Sequence, residues 1–364
     1  MSAKIRLGLV GANVKSNWGS RSHVPALLAS PDFELTAVCT TRPETAAQAK
    51  AAYGARLAFH DFREMAACPD IDAIAVVVRV PWHYEPTRAA IEGGKHVYTE
   101  WPLGRTTAEA EEMAALARAR GVRTAVGLQA RIDPTIQYVK ELLAAGHIGQ
   151  LLAVHVRAMR DGMLTRDSTR TWQHDVSLGA HTLTIGTGHT LDALRFVAGE
   201  FASVSSVVAT QVRQWTETDT GRVLDVTAPD NIVVSGQLAN GAVVSAHIAA
   251  VPWAGSGYRM ELYGTEGTLV VTGRNTPQFG YLRLLGAQRG NELAEMTVPE
   301  RFVLVDPQKA KRDAYNVGQL YARFAETVRG GQGDHPTFDT AVQMHRVVDA
   351  IRMASETGRR VDLS

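Results

Sequence analysis

Along the first third of the chain, apolar residues come in short unbroken runs separated by stretches of helical period. The runs lie at 5–10, 35–40, 73–78, 96–99 and 122–127, with a weaker one at 57–59. Strands of that length without polar alternation suit a parallel sheet covered on both faces. The intervening helices have readable ends. Thr106 and Glu109 form a capping box before a helix over 110–120, and Gly121 supplies the stop. Pro43 opens a helix over 44–53 that ends at Gly54. Strand alternating with helix predicts βαβ units, and so a doubly wound α/β domain over residues 1–127.

After Gly127 the pattern changes. Asp133 as N-cap, Pro134, and a stripe through Ile136, Val139 and Leu143 predict a helix closed by Gly146. Long strand-like stretches follow at 151–159, 204–212, 232–238, 243–249, 259–263 and 268–271. Asn240-Gly241 between two of them signals a hairpin. Strands joined by tight turns predict a large, mostly antiparallel sheet, so residues 128–364 read as an α+β domain. Two helices, near 314–328 and 341–357, close the chain.

Composition adds bounds. The 364 residues, 45% hydrophobic, suffice for two domains with cores of their own. A formal net charge of +1 offers no basic face for a nucleic acid or a membrane surface. Cys39 and Cys68 make neither a disulfide framework nor a metal-ligand set, so no metal is expected. The absence of a signal-peptide pattern and of an apolar run of about 18 residues predicts a soluble cytoplasmic protein. An antiparallel sheet with an apolar outer face predicts self-association, as a homodimer or homotetramer.

The chemistry begins where the first strand ends, at Gly8-Leu-Val-Gly11-Ala-Asn13. A dinucleotide pyrophosphate needs a tight turn and close backbone approach there. Gly11 meets the first demand. Asn13 stands at the second glycine position as the residue that best tolerates left-handed geometry. A long loop then runs to a helix near His23-Val-Pro25, with Lys15, Ser20 and Arg21 as further phosphate donors. At the end of the second strand, where NAD-binding proteins place a carboxylate on the ribose, the chain has Thr40-Thr41-Arg42. These favour a 2′-phosphate, hence NADP(H) over NAD(H). Arg79 and His83 follow the fourth strand, at the sheet end where such folds bind ligands.

Two segments resemble a known family. Glu92-Gly-Gly-Lys-His-Val-Tyr-Thr-Glu100-Trp101-Pro102-Leu103 and Gly188-His189-Thr-Leu-Asp192 are similar to signatures of the glucose–fructose oxidoreductase, inositol dehydrogenase and MocA family. The likeness covers essentially the whole chain. Gly11-Ala-Asn13 with Trp18, Glu100-Trp101 and Leu128-Gln129-Ala-Arg131 further resemble the subgroup of the yeast galactose-pathway co-repressor. The resemblance implies a small-molecule substrate and a cofactor held also by Glu100, Trp101, Pro102 and Gln129, with a cis bond before Pro102. Classical members carry a lysine in a Glu-Lys-Pro motif, with an aspartate and a histidine in the second domain. Here the lysine position is Trp101 and the aspartate position Ile185, or Thr184 with one residue inserted; His189 stands in register. His189 is thus the candidate acid/base. His181, Trp172 and Asp192 are candidates for the substrate pocket, with Tyr258 a weaker one. Trp101, stacked on the nicotinamide or lining an apolar pocket, would favour a substrate less rich in hydroxyls than inositol or glucose. Three functions fit: an NAD(P)-dependent oxidoreductase on a sugar, polyol or related carbonyl, a non-catalytic NAD(P)-sensing regulator, or a redox-assisted glycosidase.

Overall fold

The computed structural model describes residues 3–15, 17–162 and 166–363. Its first six strands are β1 (Ile5–Val10), β2 (Phe33–Cys39), β3 (Leu57–Phe59), β4 (Ala73–Val76), β5 (His96–Thr99) and β6 (Thr124–Val126). They pair in parallel in the order β3-β2-β1-β4-β5-β6. The connecting helices are α1 (Val24–Ala29), α2 (Pro43–Tyr53), α3 (Phe62–Ala67), α4 (Tyr84–Glu92) and α5 (Thr107–Arg120). This order is that of a dinucleotide-binding sheet, with its switch point between β1 and β4. Local chemistry sets the helix starts. Thr106 Oγ1 accepts the Glu109 amide at 3.2 Å, as the capping box predicts, but the Glu109 carboxylate reaches the Arg105 amide instead of that of Thr106.

The second unit holds α6 (Pro134–Ala144) and α7 (Thr187–Ala198). Its strands are β7 (Leu151–Arg160), β8 (Phe201–Ala209), β9 (Gln214–Thr216), β10 (Val223–Asp225), β11 (Asn231–Leu238), β12 (Val243–Ala250), β13 (Gly257–Gly264), β14 (Gly267–Gly273), β15 (Arg283–Gln288), β16 (Ala294–Glu295) and β17 (Val361–Asp362). Nine of them form one sheet, β16-β15-β14-β13-β7-β12-β11-β8-β17, and β9-β10 form a separate hairpin. The large sheet is antiparallel except where β12 runs parallel to β7. The Asn240-Gly241 hairpin forms as expected, Gly241 donating to the Leu238 carbonyl at 2.9 Å. Strand alternation sorts the sheet's two faces. Val154, Val156, Ile232, Val234, Val244, Ala246, Met260 and Leu262 are buried on one, whereas Val207, Val233, Val243 and Tyr263 are exposed on the other.

Two long helices remain, α8 (Ala314–Val328) and α9 (Phe338–Thr357). The two units do not follow the expected division at residue 127/128. The first runs to Ile132 and takes back Val303–Val342; the second comprises Asp133–Phe302 and the chain from Gln343. The reason is apolar complementarity. Val317, Leu320, Tyr321 and Phe324 of α8 join Leu7, Leu9, Leu27 and Phe33 in one core, a choice of partner that helical periodicity cannot reveal. Among the described residues no helix is long and apolar enough to cross a membrane.

Candidate functional site

In the first unit the carboxyl ends of β1, β2, β4, β5 and β6 bring most of the expected cofactor residues to one edge of the sheet. Gly11 has φ +92°, and a Cβ there would stand 2.1 Å from the Val77 carbonyl oxygen. Only glycine lets β1 turn this close to β4, which is the backbone approach a pyrophosphate requires. Asn13 departs from expectation. The described non-glycine residues with positive φ are Ala254, Tyr281 and Arg312, so Asn13 is not left-handed. Its side chain instead accepts the Lys15 amide at 2.9 Å, an Asx turn, while its carbonyl accepts Tyr53 Oη at 2.9 Å. Asn17 and Ser20 bond each other reciprocally, and Arg21 lies 3.7 Å from Asp313. The loop is therefore pre-shaped by its own polar groups.

At the end of β2, Thr40 Oγ1 is engaged with Thr45 Oγ1 at 2.6 Å and with the Arg42 carbonyl at 3.2 Å. Thr41 and Arg42 are exposed. Arg79 is exposed after β4. His83 is fully buried, its Nδ1 2.7 Å from the Pro102 carbonyl and its Nε2 3.1 Å from that of Val78. Burial holds its imidazole below the usual range, and a neutral ring has one N–H to give to these two acceptors. His83 thus ties the segments after β4 and β5 together, and its ring nitrogens are spent on backbone.

The segment after β5 carries Glu100, Trp101 and Pro102, and the Trp101–Pro102 bond is cis, as the resemblance implied. Trp101 is only 4% exposed, so no more than an edge of its indole is open to a ligand. Glu100 is enclosed by polar partners. Its Oε1 lies 2.8 Å from His23 Nε2 and accepts from Tyr98 Oη at 3.0 Å and Gln129 Nε2 at 2.8 Å. His23 Nδ1 lies 2.8 Å from Tyr321 Oη. Gln129, expected at the cofactor, spends its amide group on this carboxylate. Sequence reasoning missed Tyr98 and Tyr321. Tyr98 had a signal, standing in β5 only two residues before Glu100. Tyr321 had none, standing 298 residues from the histidine it meets.

In the second unit, a π turn at Thr182–Gly186 leads into α7. His189 lies in the first turn of α7, 4% exposed, with Asp192 fully buried one turn on. His181 precedes the π turn, its amide donating to Thr184 Oγ1 at 3.0 Å. Burial, aided by Arg352, pushes its imidazole down to about 4, so it is neutral at pH 7. Trp172 sits half-buried on a short turn pinned from both sides. Thr171 Oγ1 donates to Glu217 Oε1 at 2.6 Å, and the His174 carbonyl accepts the Thr227 and Ala228 amides, both at 3.0 Å. Arg166 lies over the Trp215 ring at 4.4 Å and donates to Gln173. Arg222, Thr171 and Thr220 hold the Glu217 carboxyl down at about 2. Tyr258 is a correction: it is buried in β13, its hydroxyl 3.5 Å from the Met260 sulfur, and burial raises its pKa. It belongs to the core.

A pH dependence follows. Burial also pushes His345 down to about 4, against an ordinary 6.5. Between those values the unfolded chain binds the extra protons, so this stability is complete above pH 6.5 and drains away as pH falls toward 4. The thermal midpoint should drop across that window, with a shallower slope in His181→Gln. A wild-type midpoint that is flat from pH 7 to 4 contradicts this.

Comparisons with known proteins agree with this architecture. The family model described as "Oxidoreductase family, NAD-binding Rossmann fold" matches residues 5–128, and its companion, "C-terminal alpha/beta domain", matches 140–363. The dehydrogenase aclE of Aspergillus oryzae is 38% identical over 210 residues, 56% of this chain and 57% of that protein. The galactose/lactose metabolism regulatory protein GAL80 of Saccharomyces cerevisiae is 28% identical over 259 residues, 66% of this chain and 60% of that protein. The chain thus spans less than two thirds of either relative. Among solved structures, a super-repressor mutant of Gal80p from Saccharomyces cerevisiae superposes with TM-score 0.88 at 22% identity, covering 100% of this chain and 99% of that one. A levoglucosan dehydrogenase in complex with NADH and L-sorbose gives 0.86 at 22% identity, covering 99% of each. At such identities the structural likeness is one of fold. The two family models together span nearly the whole chain, and the protein belongs to the glucose–fructose oxidoreductase, inositol dehydrogenase and MocA family of oxidoreductases.

Proposed function

We propose that this protein is an NAD(P)-dependent oxidoreductase that transfers a hydride between nicotinamide and a sugar, polyol or related carbonyl or alcohol. The observation that carries the reading is the glycine turn of Gly11 at the switch point of a 3-2-1-4-5-6 parallel sheet. The bound nicotinamide supplies or accepts the hydride. In the oxidative direction the substrate hydroxyl must lose its proton as the carbon loses hydride, and His189 takes that proton; in reduction it returns it. Trp101, at the family's lysine position, offers no second proton, which favours a substrate with fewer hydroxyls to order. The protein acts in a reducing cytoplasmic compartment, where Cys39 and Cys68 are free thiols. Nicotinamide absorbance followed across a panel of sugars, polyols and their carbonyl derivatives tests the proposal. Turnover of one panel member is expected, and none with either cofactor would remove it.

NADP(H) is the preferred form in this reading, because Thr41 and Arg42 are exposed where the second strand ends without a carboxylate. Arg42→Ala should weaken NADP(H) about tenfold, the size of one charge-assisted hydrogen bond, and leave NAD(H) unchanged. Equal effects on both cofactors would argue against a 2′-phosphate site at Arg42. The exposed sheet face, with Val207 61% and Val243 59% exposed, supports a homodimer or homotetramer. A monomer in light scattering at micromolar concentration would refute it.

The second reading, a dinucleotide-sensing regulator without turnover, is favoured by one feature, Trp101 in place of the family lysine. Nucleotide-dependent capture of a protein partner, with no turnover on the panel, would select it.

A further inference from the structure

The β9–β10 hairpin stands apart from the large sheet and has a small core of its own. Trp215, Val226 and Ala228 are buried together, with Val212 packed against them. Among the described residues, the hydrogen bonds that 214–225 makes to the rest of the unit go to the segment 166–174. The Thr218 amide donates to the Arg166 carbonyl at 3.0 Å. Ser168 donates to Asp219 twice, from its amide at 2.9 Å and from its hydroxyl at 2.6 Å. His174 Nδ1 lies 2.8 Å from the Asp225 carbonyl. The most enclosed of these contacts is made by Glu217. Its Oε1 accepts from Thr171 Oγ1 at 2.6 Å and from Arg222 Nη2 at 2.7 Å, and its Oε2 accepts from the Thr220 hydroxyl. The Glu217 side chain is 1% exposed and that of Arg222 63%, so the pair meets water on the arginine side only.

This grip falls on both sides of Trp172. Thr171 is tied to Glu217 just after β9, and His174 to the end of β10, so the indole is carried on a turn clamped at each end. That turn lies at the same end of the large sheet as the start of α7. The chain that carries it leaves the end of β7, and the His174 carbonyl accepts two amides shortly before β11 begins. The π turn leading to His189 packs on β11 and β12. A Cβ at its Gly186 would stand 3.4 Å from Ile248, two residues before β12 ends. Strands β7 and β12 are parallel neighbours, so their ends coincide. We infer that Glu217 is a positioning residue for the substrate, holding the Thr171–His174 turn so that Trp172 forms one wall of the pocket that His189 serves. The inference rests on the oxidoreductase reading, with substrate bound at this end of the second unit. Glu217 acts through Trp172 and touches neither the substrate nor the reacting atoms. Its carboxyl, held down at about 2, stays ionised at pH 7 and keeps the clamp charged.

The test is steady-state kinetics on the full-length protein, with the sugar, polyol or carbonyl compound that the wild type turns over. Glu217→Ala should raise the KM for that compound about tenfold, the size of one charge-assisted hydrogen bond, with kcat and the dinucleotide KM each within about twofold. Thr171→Val, which replaces only the hydroxyl, should raise the same KM by less. Trp172→Ala should raise it at least as much as Glu217→Ala does. Adding Glu217→Ala to Trp172→Ala should then change it no further, because the two residues act as one. A full Glu217→Ala effect in the Trp172→Ala background overturns the inference, as does an unchanged KM in Trp172→Ala alone. Equal losses in the substrate and dinucleotide parameters also overturn it, since the hairpin would then support the unit as a whole. If Glu217→Ala does not fold, Thr171→Val in both backgrounds decides, and an unchanged KM counts against the inference. A wild type that turns over nothing on the panel removes the oxidoreductase reading, and this inference with it, and is told apart because no variant is involved.

Discussion

Gly11→Ala should abolish dinucleotide binding and cost the first unit on the order of 3 kcal/mol or more, a loss in the range of buried strain and overpacking. The added Cβ would stand 2.1 Å from the Val77 oxygen and 2.8 Å from its carbonyl carbon. Both are backbone atoms of the segment leaving β4, so no side-chain rotamer relieves the clash. The φ of +92° is unfavourable for alanine besides. Gly54→Ala is the matching control. It too has positive φ, at +70°, but a Cβ there meets nothing within 4 Å, and its cost should stay near 1 kcal/mol. Urea unfolding of both variants, with dinucleotide titration by fluorescence, separates the two. Similar stabilities for them would mean that β1 does not turn against β4 as described.

His189→Ala carries the other large effect. Removing a general acid/base typically costs about 10²–10⁴ in turnover, and that loss is expected with dinucleotide affinity intact. His189 sits in α7 of the second unit, whereas the glycine turn and the strand ends belong to the first. Stopped-flow or steady-state turnover alongside a binding titration makes the comparison. Unchanged turnover would exclude His189 from proton transfer. His181 is the next candidate, already neutral at pH 7 because burial pushes its imidazole to about 4.

Much of this architecture is legible in the local pattern of the chain. The period of the apolar runs identifies the six parallel strands, because strands buried on both faces must be apolar throughout. Thr106, Asp133, Pro43 and Asn240-Gly241 mark their helices and hairpin correctly, since caps and turns depend on chemistry within a few residues. Gly11 can be read from its place at the end of the first strand, and His189 from a motif of contiguous residues. The β9–β10 hairpin and β15 to β17 give no such signal, being too short or too irregular for a period to register.

Tertiary structure alone decided the rest, and each case turns on contacts between residues distant in the chain. Helix α8 is visibly amphipathic, but only packing sends its Tyr321 and Phe324 into the core of the first unit. Nothing local distinguishes Thr41 and Arg42, which remain exposed, from Thr40, whose hydroxyl is taken by Thr45. His83 and Gln129 have residue types suited to a cofactor, yet the fold surrounds them with backbone carbonyls and a carboxylate that use up their donors. Residue type and local pattern determine which elements form and where a turn must be glycine. Which polar side chains stay available to a ligand depends on what the fold has already paired them with, and that information is not local.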